Sequence, residues 1–358
     1  MKQQLNSLQL YRGIASVLVV LHHANIILDR ELQQDGSLKI FHFGWVGVDF
    51  FFVLSGFIIF YIHQADLGRP SQFRTFITKR CLRIYPLYWL VLFAKILLSL
   101  FGDSNSEIFK TSFVRFIQIF LLVPQPGTNL TNFIGVSWTL TYEIFFYILF
   151  GLLILLKSDI SKLVGGIWIV GLLANAADLL PTERVFLLSF VFNMRNLEFI
   201  FGCLAAYIVS KSPALNGKFL VGVALSMLTV AIFNTKYNET AISSDVATLI
   251  YGIPFALLIV GSVIIEKSTP LKVPPFLIYL GNASYSIYLT HGFILNNITR
   301  LYLKFAQKYQ SNLLSLRSDN ILYIAISLVI VGLSIGFGCI VYNAIERPII
   351  KAFRGKVS

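Results

Sequence analysis

The stretch 8–28, LQLYRGIASVLVVLHHANIIL, decides the fold. Its basic residues are Arg12, His22 and His23 alone, and it is long enough to cross the ~30 Å apolar core of a bilayer as a helix. No small-residue cleavage site follows, so it reads as a first span and not as a removable signal peptide. Working outward, runs of similar character lie at about 45–62, 84–101, 137–156, 163–180, 196–210, 218–234, 247–266, 277–298 and 321–345. The sixth is short and could begin earlier, near Val185. The run 113–123 is too short to span upright and reads as a re-entrant or interfacial piece. The expected fold class is all-α: one polytopic transmembrane bundle of about ten spans, residues 1–358 forming a single domain with no fused extracytoplasmic domain.

Composition supports a membrane as the solvent. Of 358 residues, 56% are hydrophobic and 13% charged, where a soluble domain carries about 25% charged residues. Mean hydropathy is +0.75. Cys81, Cys203 and Cys339 are far apart and form no Cys-x-x-Cys pair, so they offer no metal site and no disulfide framework. Lys and Arg are densest in 69–83 and in the C-terminal tail. By the positive-inside rule both termini are then cytoplasmic, although Arg300, Lys304, Lys308 and Arg317 in an outer loop run against it. The net charge of +12 needs no nucleic acid, because cytoplasmic loops against anionic lipid explain most of it.

Ionisable groups inside spans cost roughly 2.5 kcal/mol or more unless paired or wet, so they mark function. They are Arg12, His22, His23, Asp49, Glu143, Glu198 and His291. Counted from the outer ends of their spans, His23, Asp49, Glu143 and His291 share one level, roughly 8–10 Å deep. Two imidazoles and two carboxylates at one depth could form a single buried cluster; each alone could equally hydrogen-bond a neighbouring helix. Arg12 and His23 are eleven residues apart, about three turns plus 20°, so they share a helix face about 16 Å apart. His22 points about 100° away and reads as structural. Gly44, Gly47 and Gly56 in GWVGVDFFFVLSG (44–56) read as close helix packing. Arg80 and Arg83, in the loop FITKRCLRIYPLY (76–88) before the third span, could grip one phosphate between them if that loop is helical; composition alone makes them an ordinary positive flank.

Several ordered elements then resemble the acyltransferase-3 family of integral membrane O-acyltransferases. They are Arg12 and His23 with ten residues between them in span 1; GWVGVDFFFVLSGFII in span 2; RCLRIYP (80–86); SWTLTYEIFFY (137–147) with Trp138, Leu140 and Glu143; RNLEFIFG (195–202); GNASYSIYLTH (281–291); and ERP (346–348). Together they cover nearly the whole chain. The chain departs from the pattern at Thr139, Thr141 and Ile144.

The resemblance implies a bacterial cytoplasmic (inner) membrane enzyme with no permanently bound cofactor. Its donor would be a cytoplasmic acyl-CoA, most often acetyl-CoA. Its acceptor would be a hydroxyl of an extracytoplasmic glycan or lipid-linked glycan, with a periplasmic partner protein if transfer needs one. Arg12, Arg80 and Arg83 would neutralise the donor phosphates, and His23 would be general base or nucleophile. Glu143, ahead of Asp49, would orient His23, while Tyr288 or an arginine such as Arg195 would stabilise the oxyanion and His291 would face the acceptor. From the residues alone, a proton-coupled transporter or flippase of a glycan precursor also stands, with the buried acids and imidazoles as a relay. An inverted repeat or broken helices would favour it, and the sequence shows neither.

Overall fold

In hydrocarbon every backbone N–H and C=O must find a partner within its own segment, which leaves helices as the form for apolar runs of this length. The computed structural model describes residues 5–32, 39–100, 112–125, 134–182, 184–211, 214–237, 244–308 and 321–354, and all regular structure among them is helical. The helices are α1 Asn6–Leu32, α2 Val46–His63, α3 Phe73–Leu100, α4 Phe113–Phe120, α5 Ser137–Leu155, α6 Ser158–Ala176 and α7 Phe186–Val191. After them come α8 Asn196–Ser210, α9 Gly217–Tyr237, α10 Ser244–Ser268, α11 Pro275–Lys308, α12 Ile321–Val341 and α13 Arg347–Arg354. A 3₁₀ segment, Lys39–Trp45, precedes α2, and a π turn, Tyr342–Glu346, joins α12 to α13.

Among the described residues, 9 helices are long and apolar enough to cross a membrane. They match the expected spans except the one at 277–298, which falls within α11. That helix has 34 residues and reaches about 51 Å, ample for a ~30 Å core. Its hydropathy is low because Ser284, Ser286, Thr290 and His291 face the bundle interior, where they are buried. Contacts between Arg12 and Ser284 and between His23 and His291 show that α11 runs parallel to α1. Seven spans separate the two in the chain, so a parallel α11 is the ninth crossing and α12 the tenth. The sixth span begins early, as Val185 suggested: α7 and α8 together make one apolar unit, Phe186–Ser210.

One expectation changes. The segment 76–88 is not a loop, because α3 runs from Phe73 straight through Pro86, so Arg80 and Arg83 lie inside a membrane helix. Pro86 removes one internal backbone bond, which packing of α3 on α5 and α11 offsets. The short run 113–123 holds the single helix α4, whose last carbonyls are tied to α3. Tyr88, Trp89 and Tyr85 donate to the carbonyls of Ile119, Phe120 and Leu121.

Small residues set the helix spacing, as the 44–56 segment suggested. At the α2–α8 crossing, a methyl at Gly56 would overlap the Phe199 carbonyl, and one at Gly202 would overlap the Val53 carbonyl. On α1, the backbone of Gln9 touches Gly281 of α11 in the same way. These close approaches replace the hydrophobic drive that lipid cannot supply between helices.

Candidate active site

Helices α1, α2, α3, α5 and α11 enclose a cavity of about 320 Å³. Phe51, Phe52, Ile58, Ile59 and Ile84 form its apolar walls. Arg12, Arg80, Arg83, Glu143, Tyr147 and Tyr288 also line it. The structure therefore brings together the three arginines that the sequence could only suspect of acting together. Their spacing follows from local structure: Arg80 and Arg83 are one turn apart on α3, and Arg12 sits near the start of α1.

Their partners differ. Arg12 donates from Nη2 to Ser284 Oγ at 3.0 Å. Arg80 donates from Nη2 to Nε2 of His63 at 3.0 Å, while its Nε is buried without an acceptor. Arg83 has no hydrogen bond or ion pair among the described residues. Glu143 accepts from Tyr147 and, at 3.2 Å, from Ser55. A second carboxylate, Glu346, accepts from Ser286 and lies within electrostatic reach of Arg83 and Arg12. Three guanidinium groups thus face two carboxylates, and positive charge is in excess in a water-poor space.

At the other end of the cavity, Tyr288 Oη bonds Thr139 Oγ1 at 2.9 Å. Behind Tyr288 stands a histidine pair, with the His291 ring 5.8 Å from Tyr288 and 4.8 Å from His23 between centroids. Nδ1 of His23 meets the Val19 carbonyl at 2.9 Å, and Nδ1 of His291 meets the Tyr288 carbonyl at 2.6 Å. A carbonyl only accepts, so each Nδ1 carries the hydrogen and each Nε2 keeps a bare lone pair. His291 Nε2 is buried without a partner. Arg12 and His23 do share one face of α1, and that face is turned to α11.

The common depth expected of His23, Asp49, Glu143 and His291 does not hold for Glu143, which meets Ser55, six residues or about 9 Å along α2 from Asp49, and the four do not form one cluster. Helix rotation separates them into three. His23 pairs with His291, Glu143 faces the arginine-lined cavity, and Asp49 turns the other way toward α8. There Asp49 lies 3.6 Å from Arg195, beside the buried Glu198, and Arg195 stacks over Trp138 at 5.1 Å. Thus no hydrogen bond joins Glu143 or Asp49 to His23 among the described residues; the Val19 carbonyl orients that imidazole instead. Sequence reasoning missed Tyr147, Ser55, His63 and Glu346. Tyr147 was legible as the residue one turn after Glu143, and His63 as one turn before Asp66. Ser55 and Glu346 lay in the quoted stretches GWVGVDFFFVLSGFII and ERP, which gave no sign that they would face the arginines.

The model of the acyltransferase domain matches residues 5–342. The chain belongs to the acyltransferase-3 family. As a member of that family it is a membrane-embedded acyltransferase, and the match covers nearly the whole helical bundle. Among curated relatives, the exopolysaccharide production protein ExoZ of Rhizobium meliloti is 27% identical, over 73% of this chain and 79% of that one. The putative acetyltransferase ORF330 of Acidianus two-tailed virus is 26% identical, over 78% of this chain and 80% of that one. The peptidoglycan O-acetyltransferase OatA of Listeria monocytogenes is 24% identical over 78% of this acyltransferase-3 chain, but the match spans only 47% of OatA. No solved structure matches.

Proposed function

We propose that the protein moves an acetyl group from cytoplasmic acetyl-CoA to a hydroxyl of an extracytoplasmic glycan, such as O-antigen, capsule or exopolysaccharide. The observation that carries this is Arg83 in the cavity wall beside Arg12 and Arg80, with no acceptor of its own among the described residues. A cation with no hydrogen-bonded acceptor is costly within a membrane bundle, and a phosphate-bearing ligand lowers the cost. Coenzyme A has such a head and a thioester at the end of a long arm. The volume of about 320 Å³ suits the arm and its pyrophosphate more than the whole donor.

In this reading the phosphates meet Arg12, Arg80 and Arg83, and the arm lies against Phe51, Phe52 and Ile84. The thioester then reaches Tyr288 and the histidines behind it. His23, held with Nε2 bare, takes the proton of the acceptor hydroxyl or first takes the acyl group itself. Tyr288 donates to the developing oxyanion. Glu143 acts on the donor side, positioning Tyr147 and balancing the arginines, and is not in contact with the imidazole. The half-buried His23 leaves the acceptor an approach from the end of the bundle opposite the arginines. The names of the relatives, exopolysaccharide production and peptidoglycan O-acetylation, support a glycan acceptor.

The test is turnover of radiolabelled acetyl-CoA by purified protein in detergent, with His23→Ala and Arg80→Ala/Arg83→Ala beside wild type. Loss of turnover in the folded histidine variant and weakened donor affinity in the arginine variant are expected. Absence of binding and turnover of any acyl-CoA by folded wild type overturns the reading.

A further inference from the structure

Four of the chain's five histidines form one continuous array. The His291 and His23 rings are 4.8 Å apart, His23 and His22 5.3 Å, and His22 and His42 5.5 Å. Exposure rises along it: His291 is fully buried, His23 and His22 are half-buried, and His42 is exposed. The direction is also defined. His42 lies in the 3₁₀ segment between α1 and α2 and packs on His22, ten residues along α1 from Arg12 toward its C-terminal end. Nδ1 of His22 meets the His42 carbonyl at 2.7 Å, so His22, like His23 and His291, carries its hydrogen on Nδ1 and presents a bare Nε2. Among the described residues no group of three or more such side chains is placed to hold a metal ion. What neighbouring imidazole rings, three of them with a bare Nε2, can do is pass a proton.

We propose that this array discharges His23, carrying the acceptor's proton through His22 to water at His42; the proposal rests on the acyl-transfer reading above. As the acceptor oxygen bonds the acyl carbon, the C–S bond breaks with its electron pair on sulfur, and His23 Nε2 takes the hydroxyl proton. The imidazolium gives that proton to His22 Nε2, and His22 gives it to solvent beside His42. The thiolate takes its own proton from water at the arginine end. One proton therefore leaves at the His42 end for each one taken up at the arginine end. His22 acts through His23 and touches neither substrate.

The experiment is acetyl-CoA hydrolysis by the detergent-purified protein, with water as acceptor. It is run in H₂O and D₂O, with and without added imidazole, for wild type, His22→Ala, His22→Gln and His42→Ala. Glutamine keeps a donor for the His42 carbonyl but cannot carry a proton, and exposed His42 tolerates alanine without a folding cost. The expected result is a fall of about 10-fold in kcat for both His22 variants and less for His42→Ala. The solvent isotope effect should rise, and imidazole should restore the rate in the variants but not change wild type. Full activity of His22→Gln, or a loss that imidazole leaves untouched in every variant, overturns the array. Failure of wild type to turn over acetyl-CoA overturns the donor reading, and this one with it.

Discussion

Arg80 donates to Nε2 of His63, and His63 donates from Nδ1 to Oδ2 of Asp66 at 2.7 Å. The Asp66 carboxylate thereby fixes the tautomer that lets His63 accept from a guanidinium. Arg80 also lies 5.8 Å from the Phe76 and Tyr147 ring centres, so this cation is held on three sides. His63 is thus a positioning residue for the donor end of the cavity. His63→Ala is expected to raise the KM for acetyl-CoA several-fold, about the worth of one hydrogen bond, with kcat little changed. Steady-state kinetics in detergent check it, and an unchanged KM would remove His63 from donor binding.

Arg83 has the most to gain from a phosphate, since it has no hydrogen-bond acceptor among the described residues. Arg83→Ala is expected to weaken donor affinity by roughly 10- to 100-fold, the range for a lost charge-assisted hydrogen bond. Equilibrium binding of a non-hydrolysable acetyl-CoA analogue measures this without relying on turnover. Equal affinity in variant and wild type would sink the phosphate assignment.

Tyr288 stands between the cavity and the histidine pair, bonded to Thr139. Tyr288→Phe keeps the ring and removes the donor. If the hydroxyl stabilises the oxyanion, kcat should fall by about 100-fold while KM holds. A change in KM alone would make Tyr288 a wall of the donor site and nothing more.

Arg195 lies beside two buried carboxylates, Asp49 at 1% exposure and Glu198 at 0%. Removing the arginine leaves both without their cation, whereas Asp49→Asn removes one charge and keeps the cation. Arg195→Ala should therefore cost about 3 kcal/mol or more of stability, and Asp49→Asn distinctly less. Thermal unfolding in detergent gives the order; the reverse order would show that the cluster is not held together by Arg195.

The α2–α8 crossing depends on the absence of a side chain at Gly202, where a methyl would meet the Val53 carbonyl. Backbone cannot yield as a side-chain tip can. Gly202→Ala should lower stability by about 1–3 kcal/mol and shift Asp49 relative to Arg195. Gly222→Ala, where a methyl meets open space, is the control and should melt as wild type does.

The sequence by itself determined the solvent, and through it the fold class. Long apolar runs with so few charges leave no alternative to spanning helices, because hydrocarbon offers backbone groups no other partner. It also determined the shared face of Arg12 and His23, since 3.6 residues per turn is a local rule. Its ordered motifs pointed to the family. Depth along each span was legible only from the ends of apolar runs, and it misplaced Glu143, which lies level with Ser55 and not with Asp49. Which way each helix is rotated, and which neighbour it meets, depends on contacts far apart in the chain. Gly56 and Gly202 bring α2 against α8, and this turns Asp49 to Arg195 and away from His23. Likewise α11, a helix of low hydropathy, takes its place through its polar face and packs chiefly on α1 and α12. Tertiary structure thus decided that four residues expected at one level form three sites, because the rotation and the height of a helix are set by packing partners and not by composition.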